Sequence, residues 1–215
     1  MKIDAFLPRG FPGDIWALFI TSVISSVGFS ITMPYMSLYM NNVLNISMTV
    51  VGAILMIAQI IGATVGLYGG EISDKFGRKF IMVRSLSGRL ILFALMGFII
   101  LRWHNIFTIL SFLILNSILY SFYIPASQAY VADLTRADER LKAYGLLRMG
   151  GNLGWALGPT LGGLLATMEY AYLFFVTALC MLIAMVVLLN YCKESLIYKK
   201  MADNDAFAQN QKASV

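Results

Sequence analysis

The chain has 215 residues, of which 59% are hydrophobic and 13% are charged, and its formal net charge is +5. The charged share is half the usual ~25%, and the mean hydropathy is +0.76, which excludes an ordinary water-soluble domain because such a fold could not hide so much apolar surface. The cations lie between apolar blocks and form no single basic face, so the positive charge does not indicate nucleic-acid binding.

Six apolar blocks are each long enough to cross a bilayer, which takes about 20 helical residues. They lie at about 15–40, 48–70, 80–102, 106–131, 143–167 and 171–192. The first block is longer than the apolar core of a signal peptide, about 7–15 residues, and we interpret it as a retained span. The sequence therefore predicts an all-α, polytopic membrane protein, a six-transmembrane-helix bundle with the polar segments 1–14 and 193–215 outside the membrane.

The lysines and arginines predict the orientation of the bundle. If the amino terminus is cytoplasmic, Arg102 falls on the opposite side and Arg84, Arg89 and Arg148 fall within spans. The remaining cations then all lie in cytoplasmic segments: Lys2, Arg9, Lys75, Arg78, Lys79, Arg136, Arg140, Lys142, Lys193, Lys199, Lys200 and Lys212. Cytoplasmic loops carry an excess of Lys and Arg, so we expect both termini in the cytoplasm and the bundle in the cell membrane.

Nothing in the sequence favours an enzyme. Cys180 and Cys192 lie about 18 Å apart along one predicted helix, too far for a disulfide within it. The single histidine, His104, lies in a short loop, and no Ser/His/Asp or Cys/His constellation is present. We therefore expect no metal site, no cofactor and no catalytic residues.

An internal repeat is visible in the first and fourth spans. Both contain the pattern S-x3-P-x4-Y, which begins at Ser30 in one span and at Ser121 in the other. The two helices run in opposite directions, so the pattern favours an inverted repeat of three plus three helices. Chance agreement at three positions is the alternative.

The segment between the second and third spans carries glycines and charges at regular places. Gly77 permits a tight turn, Gly70 lets a helix end close to a neighbour, and Arg78 can bridge carboxylates such as Asp74 with its planar fork. The charges alone would equally fit a solvated turn. The full pattern, G-x3-D-K-x-G-R-K, resembles the signature loop of the major facilitator superfamily. Its residues here are Gly70, Asp74, Lys75, Gly77, Arg78 and Lys79.

That resemblance implies a fold and a function. Members of the superfamily have two six-helix bundles, bind a small-molecule substrate between them near mid-membrane, and expose it to each side in turn. This chain is similar to the amino-terminal bundle. One bundle has no opposite wall, so we expect a second six-helix half or a homodimer as partner, besides the lipid membrane.

The fifth span contains a glycine pattern with the spacing G-x8-G-x3-G-P-x2-G-G. Glycines spaced by four lie on one helix face and let another backbone approach, and a proline bends the helix. A packing face with a kink is one interpretation. The full spacing resembles the antiporter motif of the drug:proton antiporter branch, which implies export of drugs or other amphipathic compounds. The residues are Gly145, Gly154, Gly158, Pro159, Gly162 and Gly163.

The loop after the fourth span, D-x6-R-x4-G from Asp133, is similar to the same branch. The resemblance implies a charge cluster of Asp74, Arg78 and Asp133 that stabilises the outward-facing state and responds to protonation. The alternative for Asp133 is a helix-end anchor.

Two departures from the branch concern proton coupling. The fourth span, 106–131, contains no arginine, and no Asp or Glu lies deep inside any of the six spans. Either the coupling acid lies elsewhere, or the energy source differs from protons.

Arg89 lies about 13 Å into the third span, where a charge must face a cavity or a partner. In a cavity it would favour an anionic substrate group, and a purely structural role is the alternative. The first and fourth spans line the central cavity in the resembled family, so Tyr35, Tyr39, Tyr123 and Gln128 are the other predicted cavity residues.

Two functions from different classes remain. The first is a secondary active transporter unit that exports small amphipathic compounds with a proton gradient. The alternative is a membrane-embedded binding or assembly module, or a truncated transporter fragment, that transports nothing by itself.

Overall fold

A computed structural model describes residues 10–102 and 105–195. Within those ranges the chain is all-α, with seven helices and no strand. The helices are α1 (Gly13–Asn42), α2 (Met48–Gly66), α3 (Gly69–Phe76), α4 (Arg78–Ile100), α5 (Ile106–Leu134), α6 (Arg140–Ala166) and α7 (Tyr170–Tyr191). Lys2, Arg9, His104, Lys199, Lys200 and Lys212, and most of the predicted end segments 1–14 and 193–215, lie outside the described residues.

Five of these helices, α1, α2, α4, α5 and α7, are long and apolar enough to cross a membrane. The sixth predicted span forms α6, a helix about 40 Å long, but its composition is less apolar. Glycines take the place of larger apolar residues along it, and Arg148 and Asn152 add polarity. α6 nevertheless lies alongside α1 for most of its length.

The predicted loop between the second and third spans is wrong in one respect, because it is largely helical. After a break at residues 67–68, α3 continues the second span from Gly69 to Phe76. Within α3 the Ser73 hydroxyl donates to Gly70 O at 2.8 Å, and the exposed i,i+4 pair of Glu71 and Lys75 adds a small stabilisation. The turn is confined to Gly77, whose φ of +105° requires glycine.

α1 and α6 run parallel in close contact, with serines of α1 on glycines of α6. A Cβ added at Gly154 would lie 2.5 Å from Ser26 Cβ and 2.7 Å from Val27 N, and one added at Gly158 would overlap Ser30. The Ser30 hydroxyl also donates to Gly154 O at 2.9 Å. In lipid, where helices gain nothing from hiding apolar surface from each other, such small-residue contacts hold helices together.

A second group of helices, α2, α3 and α5, repeats this arrangement. α2 and α3 run parallel to α5, with Gly62 against Ser117, Gly66 against Ser121 and Gly69 against Pro125. Ser121 holds the same place in S-x3-P-x4-Y as Ser30 does in α1. Each patterned helix therefore lays its serine on a glycine of a partner helix, which supports the inverted repeat of three plus three helices.

α4 and α7 complete the bundle and bury its aromatic core. Phe112 of α5 packs edge-on against Phe93 of α4 and Phe174 of α7, with ring centroids 5.2 and 5.6 Å apart. The outer surfaces of α4 and α7 expose large apolar side chains, including Leu95, Phe98 and Leu179. Such faces fit lipid as the surrounding solvent.

Two glycines of α6 should respond differently to the same substitution. Gly154→Ala should lower the melting temperature in detergent by several degrees, because overpacking typically costs about 1–3 kcal/mol and the obstructing atoms include backbone. Gly145→Ala is the matched control, since no atom lies within 4 Å of an added Cβ there. Equal melting temperatures for the two variants would contradict this account of the α1–α6 contact.

Candidate functional site

Arg78 forms the centre of a charge cluster where α3, α4 and α5 meet. Its side chain is 6% exposed and makes an ion pair with Asp74, and its Nε lies 3.4 Å from Asp133 Oδ2. Its Nη1 donates to the Ser73 hydroxyl at 2.6 Å. The structure thus brings the side chains of Asp74, Arg78 and Asp133 together.

The two carboxylates of the cluster differ in their surroundings. The Asp133 side chain is 8% exposed and also accepts a hydrogen bond from Ser195 at 2.9 Å, whereas the Asp74 side chain is 57% exposed. A buried ion pair responds strongly to loss of one partner, and an exposed one responds weakly. Asp133 therefore anchors Arg78, and Asp74 is the member that solvent reaches.

Two lysines of the signature loop lie apart from this cluster. Lys75 donates to Glu71 at 2.9 Å on the exposed side of α3, and this hydrogen bond lowers the pKa of the Glu71 carboxyl. Lys79 Nζ donates to Leu189 O, near the end of α7, at 2.9 Å. Each lysine thus has a local partner of its own.

Glu194 caps the start of α4, a contact that sequence reasoning missed. Gly77 precedes the helix and has no side chain to cap it, so the carboxylate of Glu194 accepts from the first backbone amides instead. The distances are 2.8 Å from Arg78 N, 3.4 Å from Lys79 N and 3.3 Å from Phe80 N. A carboxylate at a helix start satisfies open N–H groups and matches the helix dipole. The sequence signal was an acid just past the last apolar block, interpreted there as part of a solvated tail.

The residue before Glu194 ties the same segment to α1 and α5. Lys193 N donates to Asp14 Oδ2 at 3.0 Å. The Tyr130 hydroxyl lies 2.8 Å from that carboxylate oxygen and 2.7 Å from Lys193 O, and it can donate its proton to one of them at a time. Residues 193–195 therefore connect the start of α1, the end of α5 and the start of α4.

A cavity of about 580 Å³, lined by both polar and aromatic side chains, lies between α1, α5 and α6. Of the predicted cavity residues, Tyr123 and Gln128 line it. The remaining lining residues are Ser22, Ser25, Ser26, Tyr120, Ile124, Ser127, Tyr144, Leu147, Arg148, Gly151, Asn152 and Trp155. The serines were missed, because a serine in a span is also common at helix contacts.

The structure places Tyr35 and Tyr39 elsewhere than predicted. The Tyr35 hydroxyl donates to Pro159 O at 2.8 Å, which spans the α1–α6 contact. Tyr39 is 2% exposed and packs edge-on against Tyr170, with ring centroids 5.3 Å apart. Neither tyrosine lines this cavity, because both lie nearer the other end of α1, and their role in substrate binding stays a prediction.

Arg89 is buried behind an aromatic wall of the cavity. It is 2% exposed, and its Nε donates to Asn116 Oδ1 at 3.0 Å. Its Cζ lies 5.0 Å from the ring centroid of Tyr120 and 5.3 Å from that of Phe29, and these two rings stack at 6.1 Å. Within the described chain no ion pair involves Arg89.

The glycine motif of α6 is mainly a contact surface. Gly154, Gly158 and Gly162 all press on α1, and an added Cβ at Gly163 would lie 2.9 Å from the Tyr35 hydroxyl. Gly145 has no such neighbour. Pro159 lies within α6, where its carbonyl accepts from Tyr35.

Comparison with known proteins gives one family. Residues 18–203 match the sequence model of the Major Facilitator Superfamily. The uncharacterized MFS-type transporter YqjV of Bacillus subtilis (strain 168) is 31% identical over 147 residues, covering 68% of this chain and 35% of YqjV. The multidrug resistance protein MdtG of Proteus mirabilis (strain HI4320) is 28% identical over 206 residues, covering 92% of this chain and 49% of MdtG.

Solved structures support the fold. A crystal structure of the peptide transporter POT in complex with sulfate matches 99% of this chain and 48% of its own, with a TM-score of 0.69 and 19% identity. The human organic anion transporter MFSD10 (TETRAN) matches 85% of this chain and 48% of its own, with a TM-score of 0.68 and 16% identity. The predicted all-α, half-facilitator fold is confirmed. The chain spans about half the length, or less, of the curated relatives it matches.

Loss of the buried carboxylate should destabilise the bundle. Asp133→Asn removes the charge that faces Arg78 and should cost about 1–3 kcal/mol, seen as a lower melting temperature in detergent. Asp138→Asn is the control, because Asp138 forms an exposed pair with Arg136 that contributes little. If both variants melt with the wild type, Asp133 does not anchor Arg78.

The cap on α4 gives a second stability prediction. Glu194→Ala leaves three backbone amides without their acceptor and should cost about 0.5–2 kcal/mol in thermal unfolding. Glu169→Ala provides the comparison, since Glu169 also precedes a helix, α7, but makes no side-chain cap hydrogen bond. A loss of stability as large in Glu169→Ala would argue against a specific cap.

Proposed function

The chain belongs to the Major Facilitator Superfamily, and from that premise we propose that it is the amino-terminal half of a secondary transporter. The transported compounds are small and amphipathic, they leave the cell, and protons drive their export. The cavity between α1, α5 and α6 is the observation that carries this proposal.

The chemistry of the cavity suits an amphipathic compound. Its volume of about 580 Å³ lies within the usual ~300–1,000 Å³ of small-molecule sites. Hydroxyl and amide groups of Ser22, Gln128 and Asn152 share its wall with the rings of Tyr120 and Trp155. Rings can cover the apolar part of a compound while the polar groups orient it.

One bundle supplies one wall of such a site. Trp155 of α6 lines one face of the cavity and remains 48% exposed. We assign this face to a second six-helix bundle, carried by the same polypeptide or by a second copy. Under this proposal the bundle lies in the cell membrane with both of its ends on the cytoplasmic side, as the distribution of Lys and Arg predicts.

Export and proton coupling rest on different observations. The MdtG relatives carry the name of multidrug resistance proteins, which supports export of drug-like compounds. For proton coupling, the candidate group in this half is the carboxylate of Asp74, which is exposed to solvent and pairs with Arg78. No Asp or Glu occurs in the interior of the described spanning helices, so a deep coupling acid would belong to the opposite half.

The function is tested with the protein as it occurs in its own membranes. Everted vesicles with an acidic interior should accumulate norfloxacin or ethidium, and a protonophore should release the accumulated compound. Accumulation no greater than in vesicles that lack the protein, for both compounds, would contradict export and would favour a non-transporting assembly module.

Asp74 should be needed for this flux. Asp74→Asn should reduce gradient-driven accumulation at least about tenfold, because it removes the protonatable partner of Arg78. Glu71→Gln is the matched control on the same helix, since Glu71 pairs only with exposed Lys75. Undiminished accumulation by Asp74→Asn would remove the charge cluster from the mechanism.

A further inference from the structure

Arg89 and Tyr123 hold two buried hydrogen-bond donors that have no acceptor. Nη2 of Arg89 and the hydroxyl of Tyr123 are two of the three buried side-chain nitrogen or oxygen atoms without a partner in the described chain. Arg89 is 2% exposed and Tyr123 is 6% exposed. Buried donors of this kind almost always find a partner, so two in one region require an explanation.

The surroundings of Arg89 attract its charge without neutralising it. Asn116 offers a neutral amide oxygen, and the rings of Phe29, Phe93 and Tyr120 lie within 5.9 Å of its Cζ. Ring faces stabilise a cation in place of water. The rings do not neutralise the positive charge of Arg89, which lies about 16 Å along α4 from its first residue. At that depth in a membrane a charged side chain needs a counter-charge.

The position of the second donor indicates what that counter-charge could be. Tyr123 follows Tyr120 by three residues on α5, so the two side chains lie on one side of the helix. A guanidinium N–H and a phenol O–H are both donors. A site with two donors and a net positive charge suits an anionic oxygen acceptor, and a carboxylate is the commonest such group.

The cavity gives a route to these donors. Tyr120 and Tyr123 both line it, and the guanidinium of Arg89 lies directly behind the Tyr120 ring. Tyr120 is 42% exposed and is held on one side by its stack on Phe29. A compound in the cavity would reach Arg89 only if the Tyr120 ring moved away from the guanidinium, and this movement is part of the proposal.

We propose that Arg89 and Tyr123 bind the carboxylate of the transported compound, with its apolar part against Phe29, Tyr120 and Trp155. Trp155 extends the aromatic wall, since its ring meets that of Phe29 edge-on at 5.9 Å. The inference rests on the proposed function, because it takes the cavity to be the path of the transported compound. It adds that this compound carries an acidic group.

Equilibrium binding to the whole protein, purified from its membranes, tests the proposal without a gradient. The probes are radiolabelled 1-naphthaleneacetate and its neutral amide, 1-naphthaleneacetamide, which differ in charge and little in shape. The wild type should bind the acetate at least about tenfold more tightly than the amide, as expected for a charge-assisted hydrogen bond.

Variants then assign the preference to residues. Arg89→Gln should abolish the preference while amide binding stays the same, and Arg89→Lys should retain most of it. Tyr123→Phe should weaken acetate binding alone. Arg84→Gln is the matched control, because Arg84 is an exposed cation of the same helix that lies over Phe80.

Three results would overturn the proposal: no acetate binding by the wild type, equal affinity for both probes, or an equal loss of both probes in Arg89→Gln. The last would mean a structural role for Arg89. If Arg89→Gln does not fold, the wild-type preference and Tyr123→Phe still decide. Because no gradient is involved, absence of flux with a retained acetate preference would count against export alone, and flux without that preference against this inference alone.

Discussion

The packing of serines on glycines is the constraint on which the rest of the structure depends. Burial of apolar surface does not hold helices together in lipid, because lipid tails are equally apolar. Close approach of the backbones and hydrogen bonds between helices hold them together instead. Ser26 and Ser30 of α1 meet glycines of α6, and Ser117 and Ser121 of α5 meet glycines of α2. These two matched contacts fix the positions of α1 and α5. The cavity is the space that remains between α1, α5 and α6.

The ends of the helices are held by charges rather than by small residues. Arg78 joins α3, α4 and α5 through two carboxylates, and residues 193–195 add α1 by way of Asp14. Ser195 on Asp133 and Glu194 on the start of α4 make the segment after α7 a partner of the signature loop. A change in the charge of this cluster would therefore affect four helices at once.

Sequence patterns predicted most of the fold because bilayer thickness sets helix length. The six apolar blocks coincide with α1, α2, α4, α5, α6 and α7, all of which except α6 are long and apolar enough to cross a membrane. α3 was the one described helix that the blocks did not indicate. Its short, charged sequence has no apolar stretch that would predict a helix.

Contacts between opposite charges could be predicted from the sequence. The side chains that line the cavity could not, because their positions depend on how the helices pack. Arg78 lies between two carboxylates that are close to it in the bundle, Asp74 and Asp133. Tyr35 and Tyr39 share α1 with cavity-lining serines but lie nearer the other end of that helix, where they contact Pro159 of α6 and Tyr170 of α7. A position in a helix cannot be assigned to a cavity before its neighbours are known. Glu194 required knowledge that the chain after α7 returns to Gly77.

If the space between α1, α5 and α6 is the path of a transported compound, it is filled with water in the membrane while the outer surface of the bundle meets lipid. Thiol labelling with a membrane-impermeant methanethiosulfonate tests it, after Cys180 and Cys192 are replaced by serine in the protein as it occurs in its membranes. Only an ionised thiol reacts, and a thiol ionises in water and not in hydrocarbon. The account predicts rapid labelling of Gln128→Cys, which lines the cavity, and none of Leu179→Cys, an exposed apolar position on α7. An inert Gln128→Cys, or equal labelling of both, would contradict it.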